Sequence, residues 1–295
     1  MFYGSIRRAG VALAGLLVAV GVLGCSGPVD GEPPLFDPNA LYVNLQIDAE
    51  KDNVAGFTKI MDELKARGIT ATVYVTGDFA EPNGDLIQGL YNGGYEIALH
   101  GQTADEVLAG MPREEQDTLI SDALRDAQGC GPCGLGHPVY GFRPQGFSQD
   151  ASTYSLLDEM YFEYDSGFAA GLIYAEGHEA DAEPYAMPGY EFTAVPVSTV
   201  EYDAERQVVW DVSAAVTQGY SASQFSEMLA AAVAECQQSK IPLVVIFTGW
   251  VTGDTTTYDY WGSFTGLLDD LEALSNVEFV TTRGLVQRYE AKDAQ

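Results

Sequence analysis

Two polar side chains end runs that are otherwise apolar and β-branched: Asp48 closes LYVNLQID and His100 closes YEIALH. In barrels built from strand–helix units, the C-terminal strand ends form the floor of the active site. A carboxylate placed there can take up a proton, and an imidazole can move one or ligate a metal. For either residue alone, the alternative is a polar group marking where a strand meets solvent. Cys130-Gly-Pro-Cys133 has the letters of a redox motif, and His137 extends it to a C-x2-C-x3-H spacing. A redox pair needs a strand before it and a helix after it, and zinc needs a fourth ligand. Gly129, Gly134 and Gly136 make this stretch a loop, so the expected state is a disulfide between Cys130 and Cys133. Cys236, in an alanine-rich helical stretch, is expected to be a buried thiol.

The elements that would position Asp48 and His100 alternate along the chain. Strand-like runs LYVNLQI, ITATVYV, YEIAL, VYGF, YFEYD, LVVIF and VEFVT are separated by helical patterns. The helices are expected over 54–67, 85–91, 114–127, 152–160, 223–238 and 260–274. In the first of them Phe57, Ile60, Met61 and Leu64 have amphipathic spacing, and Gly68 stops it. Such alternation predicts parallel strands joined by crossovers, an α/β fold that closes as a barrel or winds as an open sheet. The stretch 167–216 departs from the rhythm, and TAVPVSTVEY and QVVWDV within it suggest an irregular β insertion near the barrel mouth.

The N-terminal 24 residues read as a targeting segment, with Arg7 and Arg8 before an apolar run over 11–23. Val22-Leu23-Gly24-Cys25 resembles a bacterial lipobox, which implies cleavage before Cys25 and lipid attachment to its sulfur. Residues 25–40 then form a tether, 41–290 the folded domain, and 291–295 a tail. The expected location is the bacterial cell envelope, with membrane contact through the N-terminal lipid alone. The chain has 295 residues, 43 acidic against 14 basic, and a net charge of −29. So anionic a surface argues against nucleic-acid partners and suits a neutral or cationic ligand.

The ordered set LQIDAE, EIALHG, YGFRPQG, YFEYDSGF, AVPVS and LVVIFTGW resembles the polysaccharide deacetylase superfamily, also known as the NodB-homology or carbohydrate esterase family 4 fold. The resemblance extends from about Leu41 to Tyr289 and implies a distorted (β/α)7 barrel. It also implies a glycan substrate and hydrolysis of an acetamide or ester by water bound to a divalent metal, zinc or similar. Carried over by position, Asp48 falls on the catalytic base, His100 on the first metal histidine, Arg143 on the arginine that tethers the base, and Asp165 on the YDS-type aspartate.

Other positions depart from the family pattern. Ala49 stands at the metal-aspartate position, Ala104 at the second histidine, Thr248 at the proton-donating histidine, and Gln145 and Gly146 follow FRP. One reading is an enzyme with a rebuilt site. Residues two apart on a strand share a face, so Glu50 could join Asp48 and, with His100, hold a metal. Asp105 and Glu106 could add carboxylates or be ordinary loop acids. A metal-independent version would use Asp48 as base, Arg143 as orienter and His100 as electrostatic helper. A second reading is a catalytically inactive lipoprotein that binds glycan, with Trp250 as stacking platform and Thr248 beside it. A third is an envelope redox protein using Cys130 and Cys133.

Overall fold

A computed structural model describes residues 35–50, 53–129 and 136–293. Cys25, Cys130 and Cys133, with the lipidation and disulfide expected of them, lie outside the described residues. The strands are β1 (Leu41–Ala49), β2 (Thr72–Val75), β3 (Glu96–Leu99), β4 (Gly141–Phe142), β5 (Tyr164–Ala169), β6 (Tyr185–Ala186), β7 (Thr193–Val197), β8 (Thr199–Tyr202), β9 (Glu205–Val208), β10 (Leu243–Thr248) and β11 (Val277–Phe279). The helices are α1 (Val54–Arg67), α2 (Gly77–Ala80), α3 (Gly84–Asn92), α4 (Arg113–Ala127), α5 (Ala151–Glu159), α6 (Ala222–Ser239), α7 (Trp261–Glu272) and α8 (Thr282–Asp293). Positions 291–293, read from sequence as tail, therefore continue the last helix.

Local chemistry sets the helix ends. The Asn53 side chain accepts from Gly56 N at 2.7 Å to start α1, and Gly68 in the left-handed region (φ 68°) ends it. Asp150 with Thr153, and Ser221 with Gln224, form capping boxes at α5 and α6.

The main sheet runs β10-β1-β2-β3-β4-β5-β7-β6, and every pair from β10 to β7 is parallel. These seven strands curl into the distorted (β/α) barrel. The two end strands meet at Ser198: its N–H donates to Val244 O at 2.9 Å, and its hydroxyl accepts from Val244 N at 2.9 Å. One sequence expectation is corrected here. TAVPV is not part of an insertion, because as β7 it pairs with β5 and is a barrel strand. The departure from rhythm is limited to 170–192, which carries the antiparallel edge strand β6, and to the β8–β9 hairpin.

β1 explains how a fully buried strand can carry polar side chains. Leu41, Val43, Leu45, Ile47 and Ala49 pack into the core shared with the helices. Tyr42 joins a second cluster inside the barrel with Tyr74, Tyr164, Val244 and Ile246. Asn44, Gln46 and Asp48 share the face of Tyr42, because strand side chains alternate. Inside, Gln46 Nε2 donates to Asn44 Oδ1 and to Ser166 Oγ, both at 2.9 Å, and Asn44 Nδ2 donates to Val280 O at 3.0 Å. The polar positions of LYVNLQID thus fill the barrel interior, and Asp48 is the last of them before the C-terminal mouth.

Candidate active site

Strand continuation places the first three groups. His100 N donates to Val75 O at 2.8 Å and Arg143 N to Leu99 O at 2.9 Å, so both residues extend the parallel ladder one step past β3 and β4. Asp48 and Arg143 are each 2% exposed, His100 3% and Glu50 8%. Charges this deeply buried persist only with partners. The Arg143 guanidinium pairs with Asp48 Oδ1, donates to Gln46 Oε1, and lies 4.0 Å over the Tyr74 ring. Burial pulls Arg143 down to about 9, against the upward push of the nearby Tyr164, Asp165 and Asp211 charges. It is still a cation at neutral pH.

His100 links Arg143 to the two carboxylates. Its Nδ1 lies 2.8 Å from Arg143 O, a carbonyl that can only accept, so Nδ1 carries the proton. Burial lowers the pKa of the ring, opposed by the charge of Glu50. In the neutral ring Nε2 therefore presents a lone pair, 3.6 Å from Asp48 Oδ2 and 3.9 Å from Glu50 Oε2. Glu50 Oε1 accepts from Trp250 Nε1 at 2.6 Å, whereas Oε2 has no hydrogen-bond partner. Asp48 Oδ2 and Glu50 Oε2 thus both approach His100 Nε2 at the barrel mouth.

Trp250 reaches Glu50 because three glycines let its turn approach α1. Gly249–Gly253 forms one π-helical turn after β10. A Cβ on Gly253 would collide with Gly56 O, and one on Gly249 would sit 2.9 Å from Phe57 N.

The donor set does not suit a divalent metal. No group of three or more His, Cys, Asp or Glu side chains among the described residues could hold one. Asp48 is committed to a guanidinium whose charge would oppose a second cation. Ala49 at the metal-aspartate position faces the helix layer, and Ala104 offers no ligand. Of the ligands expected for zinc or a similar ion, His100 and Glu50 approach each other, without a third free ligand among the described residues.

The remaining expected residues divide. Glu106 is structural, since its Oε2 accepts from Gln102 N at 3.1 Å. Trp250 is partly buried and is engaged through its ring N–H. Thr248 is at the mouth but fully buried. Asp165 departs from its expected role. Its neighbours Tyr164 and Ser166 point into the barrel, so alternation turns Asp165 to the helix side, where Oδ1 accepts from Gly167 N at 2.8 Å. Burial raises it to about 7. It is not brought together with Asp48 and His100. Cys236 is a buried free thiol, pushed up to about 12 by burial, as expected.

Asp211 is the site residue the sequence reading missed. It is fully buried, and it accepts from Thr248 N (2.7 Å), Thr248 Oγ1 (3.0 Å) and Thr252 Oγ1 (2.7 Å). Val209 N donates to Ser198 O at 2.9 Å and Ile246 N to Val209 O at 3.1 Å, so the segment after β9 wedges into the seam between β7 and β10. The signal was present, because VVWD is another apolar run that stops on Asp.

A parallel (β/α) barrel with carboxylates, an imidazole and an arginine at its C-terminal mouth has the architecture of a barrel hydrolase. Residues 38–164 match the model of the polysaccharide deacetylase family. Among solved structures, the Puue allantoinase superposes with a TM-score of 0.71 at 15% identity, covering 90% of this chain and 96% of its own. A probable polysaccharide deacetylase from Pseudomonas aeruginosa PAO1 gives 0.70 at 15% identity, with coverages of 87% and 94%. A carbohydrate esterase family 4 pseudoenzyme from Bacillus anthracis gives 0.52 at 12% identity, with coverages of 88% and 71%. At such identities these structures establish the fold alone. No curated protein matches the sequence.

Proposed function

We propose that this protein hydrolyses an acetamide C–N bond or an ester of a cell-envelope or extracellular glycan, without a metal held by its own side chains. The observation that carries the reading is the approach of Asp48 Oδ2 and Glu50 Oε2 to one point, His100 Nε2, 3.6 and 3.9 Å away, beside the Arg143 cation. Arg143 fixes Asp48 in place. A substrate water placed beside that nitrogen donates one hydrogen to a carboxylate and aligns on the imidazole lone pair, so its oxygen is free to attack the acyl carbon. Asp48 accepts the proton as that bond forms. The family match over the segment that carries Asp48, His100 and Arg143 supports this chemical class. The lipobox-like Val22-Leu23-Gly24-Cys25 supports an envelope location.

The test is acetate release from acetylated glycans by purified protein, with and without a chelator. Release that survives the chelator and falls at least about 100-fold in Asp48→Asn and His100→Ala is expected, the usual scale for losing an acid–base group. No release, or equal release in both variants, refutes the reading. The Asp48–Arg143 pair and the absence of a histidine at Thr248 favour a second reading, a glycan-binding protein without turnover. Glycan binding lost in Trp250→Ala and kept in Asp48→Asn, with no acetate released, would establish it.

A further inference from the structure

We propose that Glu50 makes the barrel mouth select glycans that carry a free, positively charged amino group near the acyl group, over fully acylated neutral ones. This rests on the reading of the mouth as a glycan site and names the substrate class it takes.

Glu50 is a buried carboxylate that the described chain leaves half used. It is 8% exposed and, two residues past Asp48, shares its face. Oε1 accepts from Trp250 Nε1 at 2.6 Å, and Oε2 has no hydrogen-bond partner. No Lys or Arg among the described residues pairs with Glu50, whose ionic neighbour is the His100 ring, 3.9 Å from Oε2. His100 does not supply the missing donor. Its Nδ1 holds the proton toward Arg143 O, so Nε2 offers Oε2 a lone pair. The other acids at the mouth are compensated. Asp48 pairs with Arg143, and Asp211 accepts from Thr248 N, Thr248 Oγ1 and Thr252 Oγ1. Buried carboxylates persist with a cation or a full set of donors, and Glu50 has neither among the described residues.

A ligand ammonium supplies what is missing. It brings a positive charge and up to three N–H donors. A hydrogen bond assisted by charge is about twice as strong as a neutral one. A sugar hydroxyl can also donate to Oε2, but it leaves the buried charge uncompensated. Acetylating the amine removes the cation, and the preference goes with it.

The place is set as well as the chemistry. Trp250 Nε1 holds Oε1, and Gly56, Gly249 and Gly253 seat the turn that carries Trp250 on α1. Oε2 is therefore aimed, not free to swing. It lies 3.9 Å from the imidazole nitrogen that aligns the water, so an ammonium bound to it sits within one sugar unit of the acyl group. The net charge of −29 draws cationic glycans to the protein from a distance, and Glu50 acts on those that arrive.

The experiment is calorimetric titration with two chito-oligosaccharides of equal length, one fully N-acetylated and one with every second amino group free. Wild type, Glu50→Gln and Asp270→Asn are compared. Glu50→Gln keeps an acceptor for Trp250 Nε1 and removes the charge, and melting temperatures check that each variant is folded. Asp270 is exposed on α7, so Asp270→Asn removes one negative charge away from the mouth. Wild type and Asp270→Asn are expected to bind the amino form about 10-fold more tightly, and Glu50→Gln should bring the two ligands within about 3-fold. Titration of wild type at about 0.5 M salt gives an answer that needs no variant, because a buried pair is screened little and remote surface charge strongly. The preference should persist there. Equal affinities in wild type, or tighter binding of the acetylated form, overturn the proposal. So does a preference that survives in Glu50→Gln, that Asp270→Asn also loses, or that salt abolishes. Acetate release from both ligands is followed in parallel. Release without an amine preference leaves the hydrolase reading standing and sinks the selection, and an amine preference without release does the reverse.

Discussion

Replacing Arg143 with methionine tests whether the barrel mouth is organised around a buried ion pair. Both partners are 2% exposed, so Arg143→Met leaves the Asp48 carboxylate buried without its counter-charge. Breaking a buried pair from one side costs about 3–5 kcal/mol. Gln46 Oε1 also loses its Arg143 donor, although Ser166 Oγ remains within 3.3 Å, so little is added there. A domain of this size shifts by about 2–4 °C per kcal/mol, and the melting point should fall by roughly 6–20 °C. The variant's penalty must shrink as pH falls, because the orphaned Asp48 has its folded pKa raised. Its contribution is unfavourable when ionised and vanishes once it is protonated. Urea unfolding at neutral pH, followed by tryptophan fluorescence, measures the cost. The double variant Asp48→Asn/Arg143→Met removes both charges and should recover about 2 kcal/mol or more of the single-variant loss. A cost below about 1 kcal/mol for Arg143→Met, or a double variant no better than the single, would refute the reasoning.

Two further expectations concern other parts of the structure. Burial raises Asp165 from 3.8 to about 7 in the folded chain, so its stabilisation is complete below about pH 4 and is lost as pH rises through 7. Asp165→Asn should flatten the fall in melting temperature between about pH 4 and 7, and an unchanged slope would contradict the burial argument. Gly253→Ala drives a Cβ into Gly56 O, which must push the 249–253 turn off α1 and draw Trp250 from Glu50. Quenching of Trp250 fluorescence by acrylamide should rise relative to wild type. Equal quenching would mean the turn absorbs the methyl group locally.

Much of the barrel is legible in the chain because hydrophobic periodicity is a local property. The run 54–67 has the apolar spacing of α1, and LYVNLQID announces a buried strand that carries a polar residue at its end. The same strand-end logic singled out Asp48 and His100, and the structure sets Arg143 beside them at the barrel mouth. It also applied to VVWD, but Asp211 becomes a site residue only because Val209 hydrogen-bonds both Ser198 and Ile246 at the seam of the barrel. That seam joins positions far apart in the chain, and no local pattern encodes it.

Which face a residue takes was likewise decided by tertiary structure. Alternation says that Asp165 opposes Tyr164 and Ser166, but only the packed sheet determines which side is the interior, and it sends Asp165 to the helices. Glu50 shares a face with Asp48 by parity alone, yet its hydrogen bond to Trp250 depends on glycines at 56, 249 and 253 meeting across two elements. By itself, then, the sequence determined the barrel, its strand ends and three of the groups at its mouth. Folding decided their partners, because an ion pair, a hydrogen bond or a metal site depends on distances between strands, and those follow from register and packing.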